Sequence, residues 1–408
     1  MAQFILIICS PILTRLYSPE AFGIFTIFIS ITAILSVVAT LRYELAIVLP
    51  EKKIDAVNVL KVTLFLNFAT FFILSLLIFI NSQFHVIENT FLKDIGNFIY
   101  LIPVSVFLVC FYQALNFWFN RQKKFKNISY SKIIQSLMVC IVQLLIGWYF
   151  FGNYFGLIIG TIFGQASALL YFILVALKEN QLTEQLYFDK KEIINAAYQY
   201  KRFPYWSSPG ALINSISSEM PVFIITYTFG ILVTGPYGLA IRVMGLPMTL
   251  ISSSIYQVLV SKIAELSRED PKQLRILLSK FFVTLFIPAL FIALIFSHYS
   301  IDIFVLVFGS NWAQSGEIAG IIIFAYIFKF SISPLAAVLG LKQNVHLGFY
   351  WQALYFITIL ITLYVASFYN FLTFIKILTI FEVAIYLIYL SFIMYGASNF
   401  TKNTSEPF

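Results

Sequence analysis

The chain has 408 residues, of which 60% are hydrophobic and only 11% charged, with three cysteines and a formal net charge of +8. A soluble globular domain is about a quarter charged, so this composition excludes a soluble enzyme or binding domain and points to an integral membrane protein. Cys9, Cys110 and Cys140 all sit inside apolar stretches, where neither a disulfide framework nor a zinc site is to be expected.

A spanning helix needs ~20 apolar residues to cross ~30 Å of hydrocarbon. One partial and eleven full blocks of that kind follow one another. The partial block lies near residues 2–14, in "MAQFILIICSPILT". It lacks a basic leader and a small-residue cleavage site, so it reads as a transmembrane helix that has lost its beginning rather than as a signal peptide. Full blocks near 22–41, 60–81, 97–119, 129–151 and 154–177 complete a first set of six. Blocks near 207–233, 237–260, 280–300, 315–339, 345–368 and 371–396 form a second.

The predicted fold class is therefore all-α, with about twelve transmembrane helices. The predicted domains are an N-lobe over 1–177, a linker over 178–204 and a C-lobe over 205–408. Within the linker, Asp189 is placed to cap a helix, with Glu192 three residues on as in a capping box. Ile193, Ile194, Ala197 and Tyr198 then make a narrow apolar face, as in a helix lying on the inner membrane surface. Asp270 and Pro271 introduce the ninth span in a similar way. In the sixth span Gly152, Gly156, Gly160 and Gly164 recur every four residues, a smooth strip for close helix packing.

Short cytoplasmic loops carry the positive excess. With the N-terminus placed in the cytoplasm, only Arg15 and Lys93 fall in outer loops, and Arg242, Lys329 and Lys376 lie within spans. Every other Lys and Arg is then inside, so both termini are expected in the cytoplasm. The basic balance describes orientation and contact with a lipid bilayer, and nucleic acid is not an expected partner.

Polar groups within the spans are costly toward lipid. The seventh span, "YWSSPGALINSISSEMP", puts Ser207, Gly210, Asn214, Ser217 or Ser218 and Pro221 on one stripe with Glu219 nearby; such a face belongs either to a water-filled cavity or to a buried helix contact. In the fourth span Gln113, Asn116 and Asn120 share a face, where amides commonly bond between helices. Arg15 and Glu20 flank an outer turn and are placed to pair with each other. Arg42 and Glu44 lie where the second span leaves the membrane, so Arg42 serves either orientation or substrate. Arg242 lies a few residues into the eighth span, either snorkelling outward or facing something polar, whereas Lys329 lies near mid-span. Lys376 and Glu382 are six residues apart and do not share a helix face. Together the basic groups suggest a route for an anionic substrate, since guanidinium suits phosphate oxygens in a bidentate fork. Glu219 and Glu44 are candidates either for exchanging a proton or sodium ion or for serving as counterions.

Several stretches carry a family resemblance: "PILTRLYSPEAFGIFTI", "LRYELAIVLP", "NRQKKFKNIS", "YKRFPYW", "FGILVTGPYGLAIRVMGLPMTLIS" and "VFGSNWAQSGEIAGIIIFAYIFKFSISPL". In this order the chain resembles the polysaccharide flippases, which include O-antigen and capsule exporters and belong to a superfamily with multidrug extrusion proteins. The resemblance implies two six-helix lobes arranged as a V around a central cavity lined mainly by spans one, two, seven and eight. It further implies alternating access and transport of a polyprenyl-diphosphate-linked oligosaccharide across the bacterial inner membrane. Arg15, Arg42 and Arg242 fall in the matching stretches; with Lys329, Asn214 and Ser218 they form the candidate substrate site. A polysaccharide polymerase is a candidate partner, and no cofactor, metal or enzymatic activity is expected. The rival readings are a multidrug antiporter of the same fold, which would want an acidic cavity, and a membrane-embedded glycan polymerase or ligase, which would want a sizeable outer loop.

Overall fold

The computed structural model describes residues 2–84, 91–149, 154–178, 189–269, 271–340 and 344–403. Gly152, Asp270 and residues 179–188 of the linker lie outside the described residues. Each predicted apolar block is helical. The order is α1 (Ala2–Leu16), α2 (Pro19–Ala39), α3 (Lys53–Phe84), α4 (Ile102–Arg121), α5 (Phe125–Tyr149), α6 (Phe155–Lys178) and α7 (Lys190–Gln199), followed by α8 (Ser208–Phe229), α9 (Ile231–Glu269), α10 (Pro271–Phe308), α11 (Ala313–Ile332), α12 (Val345–Ala366) and α13 (Phe371–Asn403).

Among the described residues, nine helical runs are long and apolar enough to cross a membrane, while α1 and Ile231–Gly245 of α9 are shorter apolar helices. Helix α8 is not one of the nine, because the Ser, Asn and Glu residues of its first half dilute its apolar content. The outer surface is that of a protein dissolved in hydrocarbon: Leu306 and Phe72 are 79% and 66% exposed, while Asn67 and Gln143 are buried at 1% and 0%. A chain with this distribution is a multi-pass membrane protein, since water would drive the apolar side chains inward.

By contact the chain divides into two compact units, Met1–Gly235 and Pro236–Phe408. This boundary falls later than the 178–204 loop, because α8 packs on α2.

In the first unit, α2 starts cleanly because the Ser18 hydroxyl accepts the amide of Ala21 at 3.2 Å and Pro19 takes the first helical position. Helices α5 and α6 approach closely along the glycine strip. A Cβ on Gly160 would strike Gln143, one on Gly164 would strike Val139, and one on Gly156 would strike the Tyr17 hydroxyl. The strip is thus a packing surface, as expected. Gln143 uses the proximity to donate to the Leu157 carbonyl at 2.9 Å, and Tyr17 donates to the Gln143 carbonyl at 2.6 Å. Between α4 and α6 the buried Phe119 and Phe172 rings stack with centroids 4.6 Å apart.

Helix α7 departs from the expected pattern. Asp189 does cap it, accepting from the Lys191 amide at 2.8 Å. Glu192 accepts instead from Asn58 of α3 at 3.1 Å, so it anchors the helix to the unit. The predicted apolar face also splits: Ile193 and Ala197 pack on the core, whereas Ile194 and Tyr198 are exposed.

Where α2 meets the α8–α9 junction, a Cβ on Gly23 would overlap the Ile231 carbonyl, and one on Gly235 would overlap the Pro19 carbonyl. Backbone atoms cannot swing aside as side-chain tips do. Gly235→Ala should therefore cost ~1–3 kcal/mol by overpacking, seen as a lower unfolding midpoint in detergent. Gly245→Ala should leave that midpoint unchanged, because its new Cβ would meet only the Tyr326 ring, at 3.9 Å.

In the second unit α10 and α11 close on Gly316, where a Cβ would stand 2.7 Å from the backbone of Ser300 and Ile301. After α11 the chain tightens into a 3₁₀ stretch, Ser333–Gly340. The fully buried Asn344 holds this stretch to α13, donating to the carbonyls of Gly396 at 2.9 Å and Val338 at 3.3 Å. Trp351 of α12 stacks on Tyr389 of α13 with ring centroids 4.0 Å apart.

Candidate functional site

The first unit contains a cavity of about 580 Å³, lined by α2, α4, α6 and α8 and by Arg42 just beyond α2. That volume lies in the range of small-molecule sites, ~300–1,000 Å³. Its lining is unusual for a span interior, since Gln113, Gln165, Asn214, Ser218, Glu219 and Arg42 all face it.

The polar stripe of α8 supplies most of that character. Ala211, Asn214, Ser215, Ser218 and Glu219 line the cavity, in the i, i+3, i+4, i+7, i+8 relation of one helix face. Ser217 and Pro221, expected on the same stripe, are buried against protein. Both readings of the stripe therefore hold, on adjacent strips of one helix. Glu219 is tied to α2, accepting from the Ser30 hydroxyl at 2.6 Å.

Gln113 of α4 also faces the cavity rather than serving only as interhelical glue. Interhelical amide bonding falls instead to Gln135, which donates to Gln165 at 2.7 Å, and to Gln143. On α2, Thr32 and Ser36 also line the cavity; they stand four apart on one helix face, a signal legible in the sequence but diluted by Thr26 and Ser30 of the same span.

Arg42 is held in place by an uncommon backbone. Leu41 and Arg42 have φ of 49° and 65°, a left-handed conformation that side chains other than glycine rarely adopt and that recurs at functional sites. It ends α2 abruptly, after which Tyr43–Val48 forms a 3₁₀ turn. The guanidinium lies 3.8 Å from Glu44 and its side chain keeps 29% exposure. Its Nε makes no hydrogen bond. A guanidinium has five N–H donors, so a single long contact leaves donors for an anionic ligand. Glu44 is itself buried at 3% and accepts from the Thr40 hydroxyl. Its position is that of a counterion beneath Arg42, outside the cavity lining.

The remaining predicted residues lie elsewhere. Arg15 is exposed at the end of α1, beside Leu16, Gly147 and Trp148, and does not line the cavity. The expected pairing of Arg15 with Glu20 is not found among the described residues. Arg242 is half-buried on α9. Lys329, expected to face an anionic substrate, instead sits 3.0 Å from Glu382 of α13. Glu382 also accepts from Tyr355 of α12 at 2.8 Å. This cluster was invisible in the sequence because its members come from three helices.

Residues 12–317 match the family described as "Polysaccharide biosynthesis protein". None of the curated proteins matches the chain. Among solved structures, the chain is similar to an inward-facing multidrug resistance MATE family transporter of the MOP superfamily, with a TM-score of 0.74 and 14% identity over 99% of this chain and 96% of that one. It is also similar to a MATE protein in the bent conformation, with a TM-score of 0.54 and 10% identity over 98% of this chain and 99% of that one. At such identities the likeness speaks for fold alone. With three quarters of its length matched, the chain belongs to the polysaccharide biosynthesis protein family, and its fold is similar to that of these MATE proteins.

Proposed function

We propose that the protein is an exporter that flips a polyprenyl-diphosphate-linked oligosaccharide, an O-antigen or capsule-type repeat unit, across the bacterial inner membrane by alternating access. The observation that carries this reading is the polar cavity of the first unit with an incompletely bonded guanidinium, Arg42, facing it. Family membership supports the glycan and the transporter fold supports the movement.

The physical difficulty in flipping such a molecule is moving a hydrated glycan and a diphosphate through hydrocarbon, where each charge is costly. In this reading Asn214, Ser218 and Gln113 take hydrogen bonds from the glycan, Arg42 takes the phosphate, and the polyprenyl tail stays in lipid. Arg15 and Arg242 are assigned as further cationic contacts along the route. The lobes 1–177 and 205–408 are the halves that alternate, joined by the 178–204 linker, with both termini in the cytoplasm. A polysaccharide polymerase is the partner that would receive the flipped unit.

Complementation of a strain lacking its own flippase tests the reading. Surface polysaccharide should return and lipid-linked precursor on the inner face should fall; precursor that stays inside while the protein inserts normally refutes it. Glu219 is the proposed site of proton or sodium exchange. Glu219→Gln should leave the protein inserted yet make transport insensitive to an imposed ion gradient, and a normal gradient response would remove it from that role.

The second reading is a multidrug antiporter, favoured by one observation, that Glu219 is the acidic group facing the cavity. It predicts that expression protects an efflux-deficient strain against organic cations and leaves polysaccharide unaffected.

A further inference from the structure

The second unit contains a cluster that the proposed transport reading does not use. The Lys329 ammonium lies 3.0 Å from Glu382 Oε2, while the Tyr355 hydroxyl donates to Oε1 of the same carboxylate at 2.8 Å. The ammonium also stands over two ring faces, Tyr326 at 5.5 Å and Tyr386 at 5.7 Å from the ring centroids. Both distances are within the ~6 Å at which a ring quadrupole attracts a cation. Glu382 is buried, with its side chain only 9% exposed. The cluster draws on α11, α12 and α13, so no single helix would create it by chance of periodicity.

Without Lys329, what remains is a buried carboxylate oriented by a phenol and flanked by two aromatic faces. That combination recognises a monovalent cation whether or not the cation is attached to the chain. We propose that the Lys329 ammonium is a tethered cation occupying a cation-binding site formed by Glu382, Tyr355, Tyr326 and Tyr386, so that the site is closed to exchangeable ions. The carboxylate of the second unit is then neutralised from within. Ion exchange, if the protein performs it, falls to a carboxylate such as Glu219, whose partner is the neutral hydroxyl of Ser30. The Lys329 side chain keeps 30% exposure, which leaves an approach for a cation once the lysine is shortened.

The test is chemical rescue of the full-length protein in detergent, read as the thermal unfolding midpoint and independent of any transport assay. Lys329→Ala removes the equivalent of propylammonium. Its midpoint should fall, and at least half of the loss should return with propylammonium or with sodium or potassium chloride. N-methylglucamine chloride at equal ionic strength, a bulky cation, should return none. Lys329→Met fills the vacated volume and should respond to the alkali ions alone. The wild type and the double variant Lys329→Ala/Glu382→Gln should respond to none of them. The proposal is overturned by a Lys329→Ala midpoint equal to that of the wild type, by no cation-specific recovery in either single variant, or by equal recovery in the double variant. It is equally overturned if alkali ions stabilise the wild type and Glu382→Gln abolishes that stabilisation.

Discussion

Arg42→Ala is expected to abolish most of the transport activity while the protein still inserts at normal levels. Charge-assisted hydrogen bonds are worth ~1.5–3 kcal/mol, so losing the cavity's guanidinium should slow flipping roughly 10- to 100-fold. The measurement is surface polysaccharide and retained precursor in the complemented strain. Arg42→Lys should fall between, because an ammonium restores the charge without the fork that engages two phosphate oxygens. Arg42→Gly separates function from folding: it deletes the same donors but relieves the left-handed backbone at φ 65°. It should insert at least as well as Arg42→Ala and be as inactive. Full activity in Arg42→Gly would show that the left-handed turn, rather than the guanidinium, is what transport needs.

The second large effect belongs to the ion pair of the second unit. Glu382→Leu strands the Lys329 ammonium among apolar and aromatic neighbours, and breaking a buried pair in this one-sided way costs ~3–5 kcal/mol. The double variant Lys329→Met/Glu382→Leu removes both charges and should regain most of the loss, since a packed apolar pair is often as stable as the ion pair it replaces. Thermal unfolding of the four proteins forms a complete cycle. Additive losses would mean that the 3.0 Å contact contributes nothing, and non-additive losses would give its coupling energy. Tyr355 should behave as a supporting residue: Tyr355→Phe loses only the hydrogen bond to Oε1 and should cost ~1 kcal/mol.

The two sites were unequally visible before the structure. The α8 half of the cavity could be read directly, because Asn214, Ser218 and Glu219 recur at helical spacing in a segment that lipid should have kept apolar. Arg42 could be singled out as a charge at the edge of a span, but its cavity-facing position depends on a left-handed turn that no residue there announces, since neither Leu41 nor Arg42 is a glycine. Gln113 reads as an amide for helix contacts and also lines the cavity, whereas Glu192 pairs across the fold rather than with its own helix end. For Glu192 the local capping rule competed with Asn58, more than a hundred residues away, and the tertiary contact won.

What the sequence determined by itself was the set of helices. In hydrocarbon every backbone N–H and C=O must be satisfied within its own segment, so each apolar block of sufficient length has a single solution whatever its neighbours are. The glycine strip of α6 followed for a related reason, since a surface with no side chains serves mainly to admit another backbone. Only the tertiary structure decided which helix each polar face meets. Periodicity places Glu382 on one side of α13 and Lys329 on one side of α11, but it carries no information about the rotation of one helix against another. Their separation of 3.0 Å follows from how α11 and α13 pack. The same holds for the cavity, whose amides, hydroxyls, carboxylate and guanidinium come from four helices, α2, α4, α6 and α8, and from the turn after α2.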